Sequence, residues 1–216
     1  MDLLVGRDEK IAVLGANGLG KTTFLKCLLG AYHPEYPVLY DLSRNGHPSD
    51  KGSLVKWGAT VRLSSMPQDA REELTRDMTM LEWLRQYVPP TEDTQSLRAT
   101  LGRMLFSGEQ QDKNVQVLSG GECQRMMLAR MMAEGGNVLI LDEPTNHMDL
   151  ESIEALSKAL DEFDGTVFFS SHDQDLIFKV ATRIIELKPD GTFTDYAGRY
   201  ADYLASQAKR TGRGKG

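Results

Sequence analysis

The sequence has few cysteines and no long apolar run. The first argues against a disulfide-rich secreted protein, and the second argues against a membrane-spanning one. The two cysteines, Cys27 and Cys123, follow no metal-site spacing and fall on predicted helices, so we expect reduced thiols and a cytoplasmic protein. No apolar segment approaches the roughly eighteen residues that cross a bilayer, and the N-terminus has no signal-peptide pattern. We therefore expect no direct insertion into a membrane.

The net charge of −6 argues against a surface that binds nucleic acid over its whole extent. The exception is residues 208–216, where the stretch Lys209–Gly216 has four basic residues and three glycines. We predict that this tail is disordered, and that it is either a plain solvated tail or a segment that contacts RNA. With 216 residues and 40% apolar content, the chain can bury one large core, so we predict a single domain over residues 1–216.

A glycine-rich segment near the N-terminus matches the phosphate-binding loop pattern in full. It follows the apolar run 11–14 and precedes a helix-like run from Thr22, so backbone N–H groups and a helix N-terminus can surround phosphate. This context disfavours a glycine-rich turn without a ligand. Lys21 would reach the β- and γ-phosphates, and Thr22 would hold Mg²⁺. The predicted nucleotide-binding residues of the loop are Gly15, Ala16, Asn17, Gly18, Leu19, Gly20, Lys21, Thr22 and Thr23.

A second apolar run, residues 138–141, ends in the adjacent acids Asp142 and Glu143. This pattern predicts a buried strand that presents two carboxylates at its tip. Adjacent side chains on a strand point to opposite faces, so we expect the two acids to have different tasks. Asp142 would hold Mg²⁺ with Thr22, and Glu143 would orient or deprotonate a water. Taken alone, the pair is equally typical of a solvated strand end.

Residues 118–122, Leu-Ser-Gly-Gly-Glu, open a predicted helix. Ser119 and Glu122 have the capping-box spacing, so Ser119 can simply be the N-cap of this helix. Gly120 and Gly121 weaken a first helical turn but leave its N–H groups bare, which favours an anion docked there. The methionines that follow are more typical of core filling than of a binding surface.

These motifs resemble those of the ATP-binding cassette (ABC) ATPases, whose Leu-Ser-Gly-Gly-Glu signature is present unchanged. The resemblance runs from about Glu9 to Ala205, and the motifs come in the family's order. Gln68 matches the family's glutamine loop, His172 its switch histidine, and residues 148–149 the loop that couples two active sites. Gln68 and His172 are weak signals alone, and the ordered set supports both.

The resemblance implies an α/β fold, namely a P-loop NTPase domain of the ABC type with a mostly parallel sheet and a helical subdomain at about residues 75–133. The alternation of predicted strands and helices favours the same architecture. The resemblance also implies ATP and Mg²⁺ as cofactors and a second cassette as partner, the two meeting head to tail. Each ATP would lie between one phosphate loop and the signature residues of the other cassette, here Ser119, Gly120, Gly121 and Glu122.

The resemblance also assigns catalytic roles. Glu143 would polarise the attacking water, and Gln68 would sense both Mg²⁺ and that water. His172 would contact the γ-phosphate, and Lys21 completes the predicted catalytic set. Positioning and electrostatic stabilisation of the spreading phosphate charge would accelerate the reaction.

The segments Glu143–Asp149 and Phe193–Leu204 resemble the ABC-F group, which carries two cassettes, lacks membrane domains and acts on ribosomes. The short distance between Gln68 and Ser119 resembles the second cassette of that group. This implies a ribosome-associated translation factor whose basic tail could touch ribosomal RNA. The alternative is the ATPase subunit of an ABC membrane transporter. The residues after Pro144 are also compatible with an ordinary polar turn.

Two features depart from the family pattern. No aromatic residue lies among residues 1–14, where ABC cassettes place a ring that stacks on adenine. Either the chain is a fragment, or adenine is held weakly, or a partner supplies the ring. Residues 33–51, rich in Pro, Gly, Ser and Asn, are predicted to be an insertion loop. Each ATP site of a cassette pair combines the phosphate loop of one cassette with the signature of the other. The sequence contains one cassette, so it supplies one half of each of these two sites.

Other patterns predict the elements around these motifs. Residues 59–66 alternate like a strand. A second capping box, at Thr79, opens a helix that would stop at Pro89. Residues 96–106 carry apolar side chains at helical spacing. Trp83 is expected in the core between these helices.

Overall fold

The computed structural model has a six-stranded sheet with helices packed against it, and it describes residues 3–32, 55, 57–67, 70–146 and 148–212. The predicted insertion loop 33–51, Gln68 and His147 lie outside these residues. Within the described ranges, none of the helices combines the length and apolar character needed to span a membrane.

The strands of the sheet are β1 (Lys10–Leu14), β2 (Leu63–Ser65), β3 (Val138–Asp142), β4 (Thr166–Ser170), β5 (Arg183–Leu187) and β6 (Phe193–Ala197). Their order across the sheet is β2-β3-β4-β1-β5-β6. The first five run parallel, and β6 pairs antiparallel with β5. The prediction of a mostly parallel sheet is therefore confirmed.

The helices of the described residues are α1 (Lys21–Tyr32), α2 (Ala70–Glu73), α3 (Met80–Arg85), α4 (Thr94–Arg103), α5 (Gly120–Ala133), α6 (Leu150–Asp161), α7 (Gln174–Val180) and α8 (Tyr200–Gly212). Two short 3₁₀ helices, Gly108–Asp112 and Val115–Val117, precede α5. Strands and helices alternate through most of the chain, as the sequence predicts.

Side chains of the central strands alternate between two apolar layers, one on each face of the sheet. Ile11, Val13 and Ile140 belong to the layer that includes α1. Ala12 and Leu139 belong to the layer that includes α5, α6 and α7. Burial on both faces explains why these strands read as continuous apolar runs rather than as an alternation of apolar and polar residues.

Three predicted element boundaries need correction. Helix α3 ends at Arg85, short of the predicted stop at Pro89, because the N–H groups of residues 86 and 87 bond carbonyls three residues back (3.2 and 3.1 Å). Strand β2 is shorter than the predicted 59–66, because a turn in which the Val61 N–H bonds the Gly58 carbonyl (3.0 Å) precedes it. Helix α4 ends at Arg103 instead of continuing to residue 106, since Leu105 has a left-handed backbone (φ 62°) and a side chain exposed to 38%.

The C-terminal helix α8 extends to residue 212, and the disorder of the tail 208–216 remains a prediction. This helix is anchored by Tyr203, which is buried against the core. Gln207 donates hydrogen bonds to the Tyr203 hydroxyl (3.0 Å) and to Glu186 of β5 (3.3 Å). Burial raises the pKa of the Tyr203 phenol to about 12. Residues 213–216 lie outside the described part of the chain.

Helices α2 to α5 pack into the same apolar layer as α6 and α7. Helix α3 begins at the predicted capping box, in which Thr79 accepts from the Glu82 N–H and Glu82 accepts from the Thr79 N–H. Trp83 is 1% exposed, which confirms its predicted place in the core. The methionines of α5 are also mostly buried, as predicted. The limits of about 75–133 for a helical subdomain remain a prediction.

An ion-pair network holds the far edge of the sheet together. The Arg183 guanidinium donates two hydrogen bonds to Asp195 of β6 (2.8 and 2.7 Å), one to Glu9 (2.7 Å) and one to the Leu4 carbonyl (2.8 Å). The Arg183 side chain is only 13% exposed. These hydrogen bonds hold the pKa of Asp195 below its usual value.

We expect Arg183→Met to lower the free energy of unfolding by about 2 kcal/mol at neutral pH, because hydrogen bonds between charged groups are lost. The folded pKa of Asp195 is depressed, so its contribution is present above about pH 4 and is lost as the pH falls through the folded pKa. The difference between variant and wild type should therefore shrink only under acid conditions. Urea unfolding at several pH values measures it.

The matched control is Lys158→Met, since Lys158 forms a long, exposed pair with Glu162 (4.0 Å) and should contribute less than about 1 kcal/mol. Equal losses in the two variants would contradict the role of Arg183.

Candidate nucleotide-binding site

The predicted phosphate loop joins β1 to α1 and has a backbone that only glycine adopts easily. Gly15, Gly18 and Gly20 have φ values of 148°, 82° and 94°. A Cβ at Gly15 would lie 2.9 Å from the Leu187 carbonyl, so no larger residue fits there. The sequence of this loop therefore determines its shape directly.

Lys21 begins α1 and folds back over the loop. Its ammonium group donates a hydrogen bond to the Gly15 carbonyl (2.9 Å), and the side chain is almost fully buried. Since α1 starts at Lys21, its N-terminal N–H groups lie next to the glycine turn. A cation, bare N–H groups and the positive end of a helix dipole together favour a phosphate group.

The loop forms one wall of a cavity of about 400 Å³. Glu143 and His172 line its other side together with Asn146. These residues follow β3 and β4. Strand β4 lies between β3 and β1 in the sheet, so the carboxyl ends of three consecutive parallel strands meet here. The complete lining consists of Asn17, Gly18, Gly20, Lys21, Thr22, Thr23, Glu143, Asn146 and His172.

The backbone of Glu143 differs from the sequence-based expectation. Strand β3 ends at Asp142, and Glu143 has a left-handed backbone (φ 50°). Glu143 therefore does not continue the strand, and the predicted alternation of the two acids along one strand is wrong. Its N–H donates to both the carbonyl (3.2 Å) and the hydroxyl (3.0 Å) of Ser170, and this contact with β4 sets its direction.

The Glu143 carboxylate lies against His172. Its Oε2 accepts the His172 backbone N–H (3.2 Å), and its Oε1 lies 3.3 Å from the His172 Nε2. Oε1 is buried and has no hydrogen bond of good geometry within the described residues. A buried carboxylate oxygen without such a bond is an acceptor for a water in the cavity.

Asp142 has a different environment from that of Glu143. Its Oδ1 accepts a 2.6 Å hydrogen bond from the Ser170 hydroxyl, and the two residues are register partners between β3 and β4. Thr22, on the cavity wall, offers a hydroxyl oxygen. One carboxylate with one hydroxyl, completed by phosphate oxygens, suits the donor preference of Mg²⁺. Within the described residues there is no cluster of three metal-binding side chains, and a phosphate-assisted Mg²⁺ site does not need one.

The signature residues lie outside the cavity lining. Ser119 caps α5 as predicted, accepting from the Glu122 N–H (3.2 Å), while its own N–H donates to Glu122 (2.7 Å). Lys113 pairs with Glu122 at 3.3 Å. Burial would raise the pKa of Glu122, but the hydrogen bonds from Ser119 and Lys113 outweigh it and lower that pKa. Ser119 is exposed, and a Cβ at Gly120 would meet open space, so the start of α5 is accessible.

The coupling loop predicted at residues 148–149 leads directly into α6. Asp149 caps this helix by accepting the Ser152 N–H (2.8 Å). Two residues outside the predicted site set also belong here. Asn146 lines the cavity, and Ser170 contacts both acids. Ser170 follows the apolar residues 167–169 of β4, and the sequence pattern there predicts only the end of a strand.

Comparison with known proteins agrees with this geometry. Residues 1–146 match the ABC transporter family. The chain is 42% identical to the "Probable ATP-binding protein YbiT" of Escherichia coli O157:H7, over 96% of the chain and 36% of YbiT. It is 38% identical to ABC transporter F family member 5 of Arabidopsis thaliana, over 94% of the chain and 27% of that protein. It is 36% identical to the energy-dependent translational throttle protein EttA of Haemophilus influenzae, over 94% of the chain and 34% of EttA.

The chain thus spans about a third of the length of these curated relatives. The match to the family covers the phosphate loop, the signature and the acid pair, whose places in the fold are those described above. The chain belongs to the ABC transporter family, as an ATPase domain that is similar to members of the family's F group.

Proposed function

We propose that the chain binds MgATP in the cavity and hydrolyses it as one cassette of a head-to-tail pair. The observation that carries this proposal is the convergence of Lys21, Thr22, Glu143 and His172 on one cavity, although they come from three different strand ends. The match to the ABC transporter family spans residues 1–146, so it covers Lys21, Thr22 and Glu143 and supports nucleotide binding at these three residues.

The phosphate loop would bind the triphosphate. The N–H groups at the start of α1 and the Lys21 ammonium group face the space next to the glycine turn, and phosphate would take the place of the Gly15 carbonyl as the Lys21 partner. Thr22 and Asp142 would hold Mg²⁺, with Gln68 as a further predicted ligand. When bound, Mg²⁺ neutralises charge on the phosphate oxygens.

Glu143 would orient the attacking water through its buried Oε1. His172 lies beside this carboxylate and lines the cavity, so it can contact the γ-phosphate from the same side. Holding water and phosphate in line accounts for most of the acceleration expected of such a site.

The accessible position of the signature supports the proposed pairing of cassettes. Ser119, Gly120, Gly121 and Glu122 are accessible but do not line the cavity, so within the described residues the phosphates would be covered from one side only. Two apolar side chains, Val117 next to the signature and Leu150 at the start of α6, are 70% and 78% exposed. A second cassette docked head to tail would cover them and place its own signature over the ATP.

The biological setting that we propose is translation on the ribosome, in the cytoplasm. The support is similarity to F-family members and to EttA, whose name describes a translational throttle. ATP-driven closing and opening of the cassette pair would then act on the ribosome. A membrane transporter is the alternative partner, as the name of the family indicates.

We expect Glu143→Gln to retain ATP binding, to lower hydrolysis at least roughly 100-fold and to trap a closed, ATP-bound pair. The amide keeps the size of the side chain but removes the charge that orients the water. Phosphate release and size-exclusion chromatography at saturating MgATP measure the two effects. Glu154→Gln, an exposed change on α6, is the matched control and should behave as wild type. Unchanged hydrolysis in a variant that stays monomeric would refute this role of Glu143.

We expect Ser119→Arg to abolish hydrolysis and to leave the nucleotide affinity of the isolated chain unchanged within about 2-fold, since the serine would serve the site of the other cassette. Ser107→Arg is the matched control, because Ser107 is also an exposed capping serine but precedes a 3₁₀ helix away from the signature. Fluorescence titration with a labelled ATP measures affinity. A parallel loss of affinity in the monomer would contradict the assignment.

We expect Glu143→Gln to cosediment with ribosomes in the presence of ATP and to be released with ADP, because the ribosome would bind the closed pair. Ser119→Arg, which cannot close, is the negative control. Equal cosedimentation with ribosomes in ATP and in ADP would contradict the proposal. Recovery with a membrane-embedded partner instead would favour the transporter subunit.

A further inference from the structure

Ser170 is a buried polar residue that the proposed chemistry has not yet used. It is the last residue of β4 and is 0% exposed, in a strand otherwise made of Thr166, Val167, Phe168 and Phe169. A hydroxyl group in such a place is costly unless it is hydrogen-bonded. Ser170 makes its hydrogen bonds to the two acids of the site.

The hydroxyl hydrogen of Ser170 is donated to Asp142 Oδ1 at 2.6 Å. A hydroxyl has one hydrogen, so this donor is fully committed to the carboxylate. The bond fixes the rotation of the Asp142 carboxylate, and Oδ2 is left without a hydrogen bond to any of the described residues. An oriented carboxylate with one oxygen available is what an octahedral Mg²⁺ site needs from its protein ligand.

The oxygen of the same hydroxyl accepts the Glu143 N–H at 3.0 Å, and the Ser170 carbonyl shares that N–H at 3.2 Å. This bifurcated contact holds Glu143 at φ 50°, a conformation that a non-glycine residue rarely adopts. One buried hydroxyl therefore bonds both the side chain of Asp142 and the backbone of Glu143.

We propose that Ser170 is a positioning residue that sets Asp142 for the metal ion and Glu143 for the attacking water. The inference rests on the proposed function, since it assigns Ser170 to the same MgATP site. Its distinctive consequence is that loss of the hydroxyl weakens nucleotide binding only when Mg²⁺ is present. If the hydroxyl merely satisfied polar groups within the sheet, its loss would weaken binding equally with and without the metal.

The test uses the full chain and a fluorescent, non-hydrolysable ATP analogue, titrated in Mg²⁺ and separately in EDTA. For Ser170→Ala we expect an affinity about 10-fold weaker than wild type in Mg²⁺, as for other residues that orient a metal ligand, and an unchanged affinity in EDTA. Ser170→Thr, which keeps the hydroxyl, should return the Mg²⁺ affinity to within about 2-fold of wild type.

Ser157→Ala is the matched control. Ser157 is also buried, but its hydroxyl donates to the Ile153 carbonyl within α6 (2.8 Å), so its removal should leave both affinities unchanged. Circular dichroism melting curves of all variants, without nucleotide or metal, verify that each is folded.

The outcomes separate the two proposals. If Mg²⁺ does not raise the nucleotide affinity of the wild type, the proposed MgATP site itself is overturned. If Mg²⁺ raises the affinity of the wild type and of Ser170→Ala by the same factor, only the inference about Ser170 is overturned. Equal weakening of the variant in Mg²⁺ and EDTA, or a Ser170→Thr variant as weak as Ser170→Ala, would also overturn it.

Discussion

Strands β3, β4 and β1 lie side by side in parallel, so the turns that follow them emerge at one edge of the sheet. Residues distant in sequence line one cavity for this reason. The register between β3 and β4 is equally important, because it places Asp142 opposite Ser170. A slip of one residue would put Asp142 opposite Phe169 and break the hydrogen bond between the acid and the serine. The site therefore depends on strand pairing as much as on its own side chains.

Features determined by neighbours in sequence are predictable from the sequence. The glycine spacing of the phosphate loop specifies a turn that only glycine adopts, and α1 begins at the predicted Lys21. Thr79 and Ser119 cap α3 and α5 where the capping-box spacing predicts them. Each of these motifs forms its hydrogen bonds within a few residues, so no knowledge of the rest of the fold is required.

Features determined by distant contacts are not predictable in this way. The backbone of Glu143 is left-handed because its N–H donates a hydrogen bond to Ser170, 27 residues later in the chain. The position of α8 also depends on distant contacts, since Tyr203 packs against the core and Gln207 bonds Glu186 of β5. For Glu143 the local pattern predicts a continued strand, and a tertiary contact outweighs that pattern.

The signature at the start of α5 and the cavity lie in different parts of the chain, yet a partly buried ion-pair cluster connects α5 to the sheet. Arg130 of α5 is 11% exposed, pairs with Glu73 and with Glu134 (3.3 Å), and donates to the Ser65 carbonyl at the end of β2 (3.3 Å). The Ser64 hydroxyl donates to Glu134 at 2.6 Å, so α5 and β2 are joined twice. Because the Arg130 side chain is nearly buried, loss of its partners would leave a poorly solvated charge, so this cluster fixes α5 against β2. The position of the signature is thereby tied to the same sheet whose strand ends line the cavity.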